Sequence, residues 1–264
     1  GEEYGYSGFI EWTIRDGDKR WKIIESYLSF GLDVFTGAYT ISSGGTAPGV
    51  ACNEQGVCMT VWEHNEGGYS RLVGAVTNAA GQTVKGLFHL ASEQVPYEFF
   101  DETLPAITSN GNSFEVVYQV IQYLNRVPVS GKLVRAGILA NGEVVVRDAL
   151  SPQITTGVAN LLTHLAFVHQ GRGSQPFVTW QYVSSNKIYQ ATNFQCCLYS
   201  TDFEREIVAD AAISSTHDLA YDPVGNRTLL VYQRTNGNIV GTFFSPGFGA
   251  GFGTTVLFTS GIRP

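Results

Sequence analysis

The feature that most constrains the fold is an apolar run that ends in Trp or Tyr and recurs five times. The runs occupy residues 8–12, 56–62, 113–118, 176–180 and 228–232. Their terminal aromatic residues lie 50 to 62 positions apart, and passing from residue 232 through the C-terminus to residue 12 adds 44 more. Such spacing is typical of a repeat architecture, in which each unit buries its apolar faces against its neighbours.

Each unit also has a repeated interior pattern. In the second unit four short strand-like runs, 49–52, 57–62, 70–76 and 83–90, are separated by turn-forming residues. Asn-Gly pairs such as Asn110-Gly111 and Asn236-Gly237 stand between apolar runs in other units, and Asn-Gly is a strong hairpin signal. Four antiparallel strands per unit predict an all-β protein, a five-bladed β-propeller of four-stranded blades. Six blades with one degenerate blade is the alternative, because the unit before Pro48 is the least regular.

We expect a single propeller domain over residues 1–264. The approximate units are 1–47, 48–104, 105–155, 156–212 and 213–264. Two stretches, 18–28 and 156–167, carry apolar residues at spacings that also suit a helix, and strand is favoured for most of both.

In this repeat pattern the chain resembles the five-bladed propeller lectins of animals and fungi, and some propeller glycosidases. The resemblance extends over nearly the full chain and implies a carbohydrate-binding propeller. The chain has no Trp-Asp dipeptide and no calcium-loop motif, so no residue role is carried over from these families.

Composition and charge exclude several function classes. The 264 residues include only 16 Lys plus Arg, and the formal net charge is −7. Nucleic-acid binding draws on clustered Lys and Arg, so no nucleic-acid partner is expected. No apolar run approaches the ~20 residues of a membrane span. The histidines lack metal-ligand spacing, and neither a metal nor another cofactor is implied.

The compartment is predicted from the cysteines and the first residue. The chain begins at Gly1 and has one Met, Met59, as expected for a mature secreted product whose leader has been removed. Cys52 and Cys58 flank a turn-like stretch and are expected to form a disulfide, which favours an extracellular location. The state of Cys196 and Cys197 is left open.

An aromatic residue followed by an acid or amide is the most repeated polar feature. It occurs as Trp62-Glu63, Tyr118-Gln119, Trp180-Gln181 and Tyr232-Gln233, whereas the first unit has Trp12-Thr13. One interpretation is a ring of repeated shallow ligand sites, because amides and carboxylates bind sugar hydroxyls and aromatic faces stack on sugar rings. The other is that the rings form inter-blade core and the polar groups satisfy nearby backbone.

The favoured function is therefore a secreted lectin or adhesin-like module with a glycan or glycoprotein partner, not an enzyme. A multivalent binder needs equivalent sites, whereas an enzyme needs one asymmetric site. The first alternative is a glycosidase-like propeller with carboxylates converging in a central funnel. Its candidates are Glu11, Glu63, Glu115, Asp148 and Asp222. The second is a structural or assembly protein of an extracellular particle, which contacts its partners through the Gly/Phe-rich loop at 247–253. Oligomerisation is left open.

Overall fold

A computed structural model describes most of the chain as strands and short turns. The described residues are 7–15, 21–29, 35–42, 45–90, 100–149, 154–155, 161–169, 176–183, 185–191, 204–213, 216–244 and 252–258. Within these ranges the chain forms twenty β-strands and no helix. The protein is all-β, as predicted.

The strands form successive antiparallel sheets, each built from neighbouring strands. The N-terminal sheet contains β1 (Ser7–Arg15), β2 (Trp21–Ser29) and β3 (Phe35–Ser42). Blade A contains β4 (Thr46–Cys52), β5 (Cys58–Glu66), β6 (Tyr69–Thr77) and β7 (Thr83–His89). Blade B contains β8 (Phe100–Asn110), β9 (Ser113–Leu124), β10 (Val127–Leu139) and β11 (Val144–Ala149), and the short β12 (Ile154–Thr155) also pairs with β10.

The remaining two blades have the same order. Blade C contains β13 (Leu162–His169), β14 (Pro176–Tyr182), β15 (Ile188–Ala191) and β16 (Glu204–Val208). Blade D contains β17 (His217–Asp222), β18 (Arg227–Gln233), β19 (Ile239–Phe244) and β20 (Phe252–Phe258). The antiparallel register places Trp62 opposite Val73 in blade A and Tyr232 opposite Val240 in blade D.

Local side-chain hydrogen bonds explain why the chain reverses where it does. Asn53 Oδ1 accepts from the backbone N–H of Gln55 and Val57, which closes the β4/β5 turn. Asn78 Oδ1 likewise accepts from Ala80 and Gln82 at the β6/β7 turn. Asn side chains form such turns readily because they bond to their own backbone a few residues further on.

The hydrophobic core lies between neighbouring blades. One cluster combines Met59 and Leu72 of blade A with Phe114 and Ile138 of blade B. A second joins blades B and C, and a third joins blades C and D. Since a blade is covered on both faces, its central strands are almost continuously apolar, as β5 shows with five buried residues in succession.

The first strands of consecutive sheets contact one another, β1 with β4, β4 with β8, β8 with β13, and β13 with β17. These strands are therefore the inner strands of a propeller-like arrangement. The turns that join the second and third strands of the blades all lie at one end of them, and we call this end the cleft face.

The predicted number of blades is wrong. Four blades carry four strands in sequence, whereas the N-terminal sheet has three among its described residues, so neither five nor six complete blades are present. The physical reason lies in Trp12, which is on the first strand of its sheet, while the other four repeat aromatics are on second strands. The N-terminal run thus has the sequence of a second strand without a first strand before it in the described chain.

The two ambiguous stretches are strands where they are described. Residues 21–28 belong to β2 and residues 162–167 to β13, which confirms the strand prediction there. Residues 18–20 and 156–160 lie outside the described residues, as do Cys196, Cys197 and most of the Gly/Phe-rich loop.

Candidate functional site

The four repeat aromatics are buried in the core. Trp62 is 0% exposed and Trp180 is 1% exposed, and Tyr118 and Tyr232 are buried as well. Tyr118 packs between blades A and B, Trp180 between B and C, and Tyr232 between C and D. A ring with no accessible face cannot stack on a sugar. Tyr118, Trp180 and Tyr232 are therefore inter-blade core, and Trp62 is buried with Val73 and Ala75 of its own blade.

The polar residue after three of the four repeat aromatics connects one blade to the next. Glu63 Oε1 accepts a hydrogen bond from the backbone N–H of Leu104 on β8, at 2.7 Å. Gln119 Oε1 accepts from the backbone N–H of Leu162 on β13, at 3.3 Å. Both side chains therefore bond to the inner strand of the following blade.

The same connection recurs between blades C and D with the bond direction reversed. Gln181 Nε2 donates to the carbonyl oxygen of Ala212, just before β17, at 2.9 Å, and to that of Ser185 at 2.8 Å. Gln233 differs, because its amide donates to Gly237 within its own blade at 3.5 Å. Glu63, Gln119 and Gln181 thus form a repeated inter-blade clamp, the second of the two interpretations that the sequence allows.

Among the residues that the structure describes, a cleft on the cleft face, between blades A and B, is the candidate binding site. Its volume is about 440 Å³, within the ~300–1,000 Å³ typical of small-ligand pockets. The cleft is lined by Gly67, Gly68, Tyr69, Asp101, Tyr123 and Arg126. It therefore offers two phenol groups, one carboxylate and one guanidinium beside exposed glycine backbone.

Two tight turns shape the cleft walls. Gly67 and Gly68 connect β5 to β6 with φ values of 63° and 90°, and Asn125 and Arg126 connect β9 to β10 with 52° and 64°. Two successive positive φ values define the type I′ hairpin turn, which matches the twist of the strands. Arg126 is thus held at a backbone conformation that is costly for a residue with a Cβ atom.

Asp101 is the acidic centre of the cleft. Its Oδ1 accepts a hydrogen bond from the backbone N–H of Ser70 at 2.7 Å. Burial, together with a hydrogen bond to Asp101 and the negative charge of that residue, raises the pKa of Tyr123 to about 12. The phenol consequently stays protonated at neutral pH and donates to the carboxylate, so this blade B pair is locked against blade A.

Two arginines bring positive charge to the same region. The Arg71 guanidinium lies 5.6 Å from the centre of the Tyr69 ring and donates to the backbone carbonyls of Ser70 and Phe100. Arg126 is exposed at the cleft wall and, within the part of the chain that the structure describes, makes no hydrogen bond or ion pair.

The candidate glycosidase carboxylates whose side chains are described lie at different places, and each has its own bonding partners. Glu63 lies near the cleft-face end of β5 and bonds to blade B, while Glu115 lies near the start of β9, at the opposite end of its blade. Asp222 lies at the β17/β18 turn, where N–H groups of Gly225 and Val224 and the Arg227 guanidinium hold its pKa below the usual range. Glu11 and Asp148 lie on β1 and β11, but their side chains are outside the described set.

Glu115 is buried beside two basic residues. Burial raises the pKa of Glu115, but a hydrogen bond with His169, the charges of Arg135 and His169, and a bond from Asn110 outweigh it, so the net shift is downward. Glu115 Oε2 lies 3.4 Å from Arg135 Nε, and Oε1 lies 3.8 Å from His169 Nε2. A carboxylate held ionised in this way is a structural ion pair, not a general acid.

The cleft residues were not among the sequence-predicted site residues. The signal that could have found them is a departure from the repeat, since Tyr123 stands five positions after Tyr118, where the other units have Gly67, Ser185 and Gly237. The repeated features lie at buried positions, whereas the cleft is asymmetric. Among the described residues no group of three or more metal-ligating side chains occurs, and no helix could span a membrane.

The predicted disulfide is present. Cys52 and Cys58 are bonded and lie directly opposite each other on β4 and β5. A disulfide fits an oxidising compartment.

Comparison with known proteins supports the fold. No family model matches the chain, and no curated protein matches it in sequence. Among solved structures, it is similar to the Hadza microbial sialidase Hz136, with a TM-score of 0.61 and 11% identity over 95% of this chain and 56% of that one. It is equally similar to the BP39L lectin of Burkholderia pseudomallei, with a TM-score of 0.61 and 14% identity over 96% of this chain and 67% of that one.

An α-L-arabinanase of Penicillium chrysogenum, solved with arabinobiose, has a TM-score of 0.57 and 12% identity over 90% of this chain and 71% of that one. The chain spans little more than half of the sialidase and about two thirds of the lectin. Identities this low show the fold alone. The protein is a β-propeller-like ring of antiparallel sheets, and its structural neighbours include propeller lectins and glycosidases.

Proposed function

We propose that this protein is a secreted carbohydrate-binding propeller that holds a saccharide in the cleft between blades A and B. The observation that carries the proposal is the lining of that cleft, where Tyr69, Tyr123, Asp101 and Arg126 surround about 440 Å³. Tyrosines provide both an apolar ring and a hydroxyl, and charged groups form the stronger hydrogen bonds to polar ligands. A glycan or glycoprotein is the expected partner.

The cleft changes the predicted binding mode from repeated sites to one asymmetric site. Equivalent sites would need an aromatic residue five positions after each repeat aromatic, and only Tyr123 fulfils this. Avidity from several equivalent sites is therefore not expected of one chain, and a multivalent lectin would need several copies of it.

The glycosidase alternative lacks a second carboxylate at this cleft. Most glycoside hydrolases use two carboxyl groups about 5–10 Å apart, and Asp101 is the one acidic residue among the cleft-lining residues. Asp101 is also bonded to Ser70 and Tyr123, which favours a positioning role over acid–base chemistry. Binding without hydrolysis is the function that this arrangement favours.

A glycan array with the purified protein, followed by calorimetric titration of the best ligand, tests the proposal. We expect Tyr123→Ala and Asp101→Asn each to weaken binding by about ten-fold or more, because a 1.4 kcal/mol loss is ten-fold in Kd. Tyr221→Ala is the matched control, since Tyr221 bonds to Asn226 at the β17/β18 turn, away from the cleft face. Absence of any saccharide binding, or equal losses in the control, would refute the proposal.

A further inference from the structure

We infer that the saccharide bound in this cleft is acidic, and that Arg126 binds its carboxylate or sulfate group. The inference rests on the proposed function and adds the chemical class of the ligand. It follows from a comparison of the charged groups at the cleft, because some of them already have hydrogen-bond partners and others have none among the described residues.

The carboxylate of the cleft already has two hydrogen-bond donors. Asp101 accepts from the Ser70 N–H at 2.7 Å and from the Tyr123 hydroxyl. A carboxylate bonded in this way has less capacity to accept hydrogen bonds from sugar hydroxyls, which are the main donors of a neutral saccharide. Asp101 therefore stabilises the wall of the cleft more than it selects a neutral ligand.

The positive charge of the cleft is available. Within the described part of the chain Arg126 has no anionic partner, although it is fixed on a type I′ turn at φ 64°. A guanidinium offers a planar pair of N–H donors that matches a carboxylate or sulfate in bidentate fashion. The turn fixes the direction in which the Arg126 side chain leaves the backbone at the cleft wall.

The surroundings also favour an anion at this place in an otherwise acidic protein. The chain has a formal net charge of −7, yet Arg126 lies in the cleft lining and Arg71 lies beside the cleft-lining Tyr69. Asp101 is the one carboxylate of the lining itself, and Glu66 and Glu102 adjoin lining residues in the sequence. Local cationic groups outweigh a distant net charge because salt screens exposed charges beyond about 8–10 Å. Arg126 is thus the group at the cleft that is placed to bind an anionic sugar.

Matched pairs of saccharides test the inference by calorimetry. Each pair differs in its acidic group: trigalacturonate with its methyl ester, a glucuronate oligosaccharide with its neutral glucose counterpart, a sialylated lactose with the methyl ester of the same trisaccharide, and a 6-sulfated galactose trisaccharide with the unsulfated one. We expect the acidic member of at least one pair to bind about ten-fold or more tightly than its neutral partner. The sulfated and carboxylated pairs show which anion is preferred.

Variants assign the preference to Arg126. Arg126→Ala should abolish the difference between acidic and neutral ligands, and Arg126→Lys should retain part of it as a point charge without the bidentate geometry. Arg227→Ala is the matched control, because Arg227 lies at the β17/β18 turn and pairs with Asp222. Unchanged thermal unfolding of each variant excludes a folding effect.

The outcomes separate the two proposals. If neutral saccharides bind and no acidic partner is preferred, the inference is wrong while the proposed function stands. If the acidic preference survives Arg126→Ala, the inference is also wrong, because another group then binds the anion. If no saccharide of either class binds, both proposals are refuted.

Discussion

The imidazole rings of His164 and His217 meet edge to face, 4.8 Å apart between centroids, at the contact between strands β13 and β17. His217 is 1% exposed, and its Nε2 lies 3.0 Å from the hydroxyl of Thr179. Its Nδ1 is buried and has no hydrogen-bond partner among the described residues. Burial, followed by the repulsion of His164, lowers the pKa of His217 to about 3.

This pair predicts a loss of stability in mild acid. The unfolded chain binds a proton at His217 below its ordinary pKa of about 6.5, whereas the folded chain does not until about 3, so stability falls as pH decreases between these values. The slope for one such group is about 1.4 kcal/mol per pH unit. Burial also lowers the pKa of His164, which acts in the same direction.

Urea unfolding at pH 7.5 and pH 5 measures the effect, and His217→Gln removes the titrating group while keeping an amide near Thr179. We expect the variant to lose less stability than the wild type on acidification. His89→Gln is the control, because His89 is an exposed histidine beside Glu66. An identical pH dependence in the wild type and His217→Gln would contradict the assignment.

Removing a residue of the inter-blade clamp should lower the stability of the protein without weakening saccharide binding. Gln181→Ala removes the donor to the carbonyls of Ala212 and Ser185 from a fully buried position. An unsatisfied buried acceptor costs about 1–3 kcal/mol, so the free energy of unfolding should fall by that amount. Saccharide affinity should not change, because Gln181 does not line the cleft.

Gln82→Ala provides the comparison for this prediction. Gln82 is an exposed amide at the β6/β7 turn, where it accepts from Asn78. Its replacement should change stability by no more than about 0.5 kcal/mol. Equal losses in the two variants would show that the inter-blade bonds contribute nothing beyond local turn structure.

The disulfide gives a third prediction. Cys52 and Cys58 close a loop of only six residues in sequence separation, so the bond removes little chain entropy from the unfolded state. We expect the Cys52→Ser/Cys58→Ser double variant to lose at most about 2 kcal/mol. Non-reducing peptide mapping should show the two residues linked, and two free thiols there would argue against the extracellular proposal.

The sequence predicted the all-β class because the residues that repeat are core residues. Runs such as that ending at Trp62 are apolar because neighbouring blades cover both of their faces, and a run of that kind is visible without a structure. The predicted number of blades was wrong because of the unit that contains Trp12. The residue pattern of one strand does not indicate whether another strand precedes it in the sheet. The unit boundaries proposed from the repeat stay a prediction.

The site could not be predicted in the same way. Repeated residues are those that every interface between blades requires. The repeat therefore pointed to Trp180, which is a core residue, and to Gln181, which belongs to the inter-blade clamp. Tyr123 and Asp101 are twenty-two positions apart in the sequence and meet only through pairing of β8 with β9. Contacts of that kind depend on register and turn geometry, and a sequence pattern does not specify either of them closely enough.

The turn that contains Arg126 predicts that one substitution, Arg126→Gly, has different effects on stability and on ligand binding. Asn125 and Arg126 have φ values of 52° and 64°, a region in which glycine is unstrained and a residue with a Cβ atom is not. Arg126→Gly should therefore leave stability unchanged or raise it by up to about 1 kcal/mol, since relief of strain exceeds the added freedom of the unfolded chain. The same variant should lose the acidic-ligand preference, as Arg126→Ala does.

Thermal unfolding and saccharide titration of the two variants separate the contributions. Arg126→Ala keeps the strained backbone and loses the guanidinium, so it should be less stable than Arg126→Gly while binding equally weakly. Gly68→Ala is the converse control, because it introduces a Cβ atom at a φ of 90° in the facing turn. A Gly variant less stable than the Ala variant would show that the left-handed turn is not the source of strain, and that position 126 is held by its side chain instead.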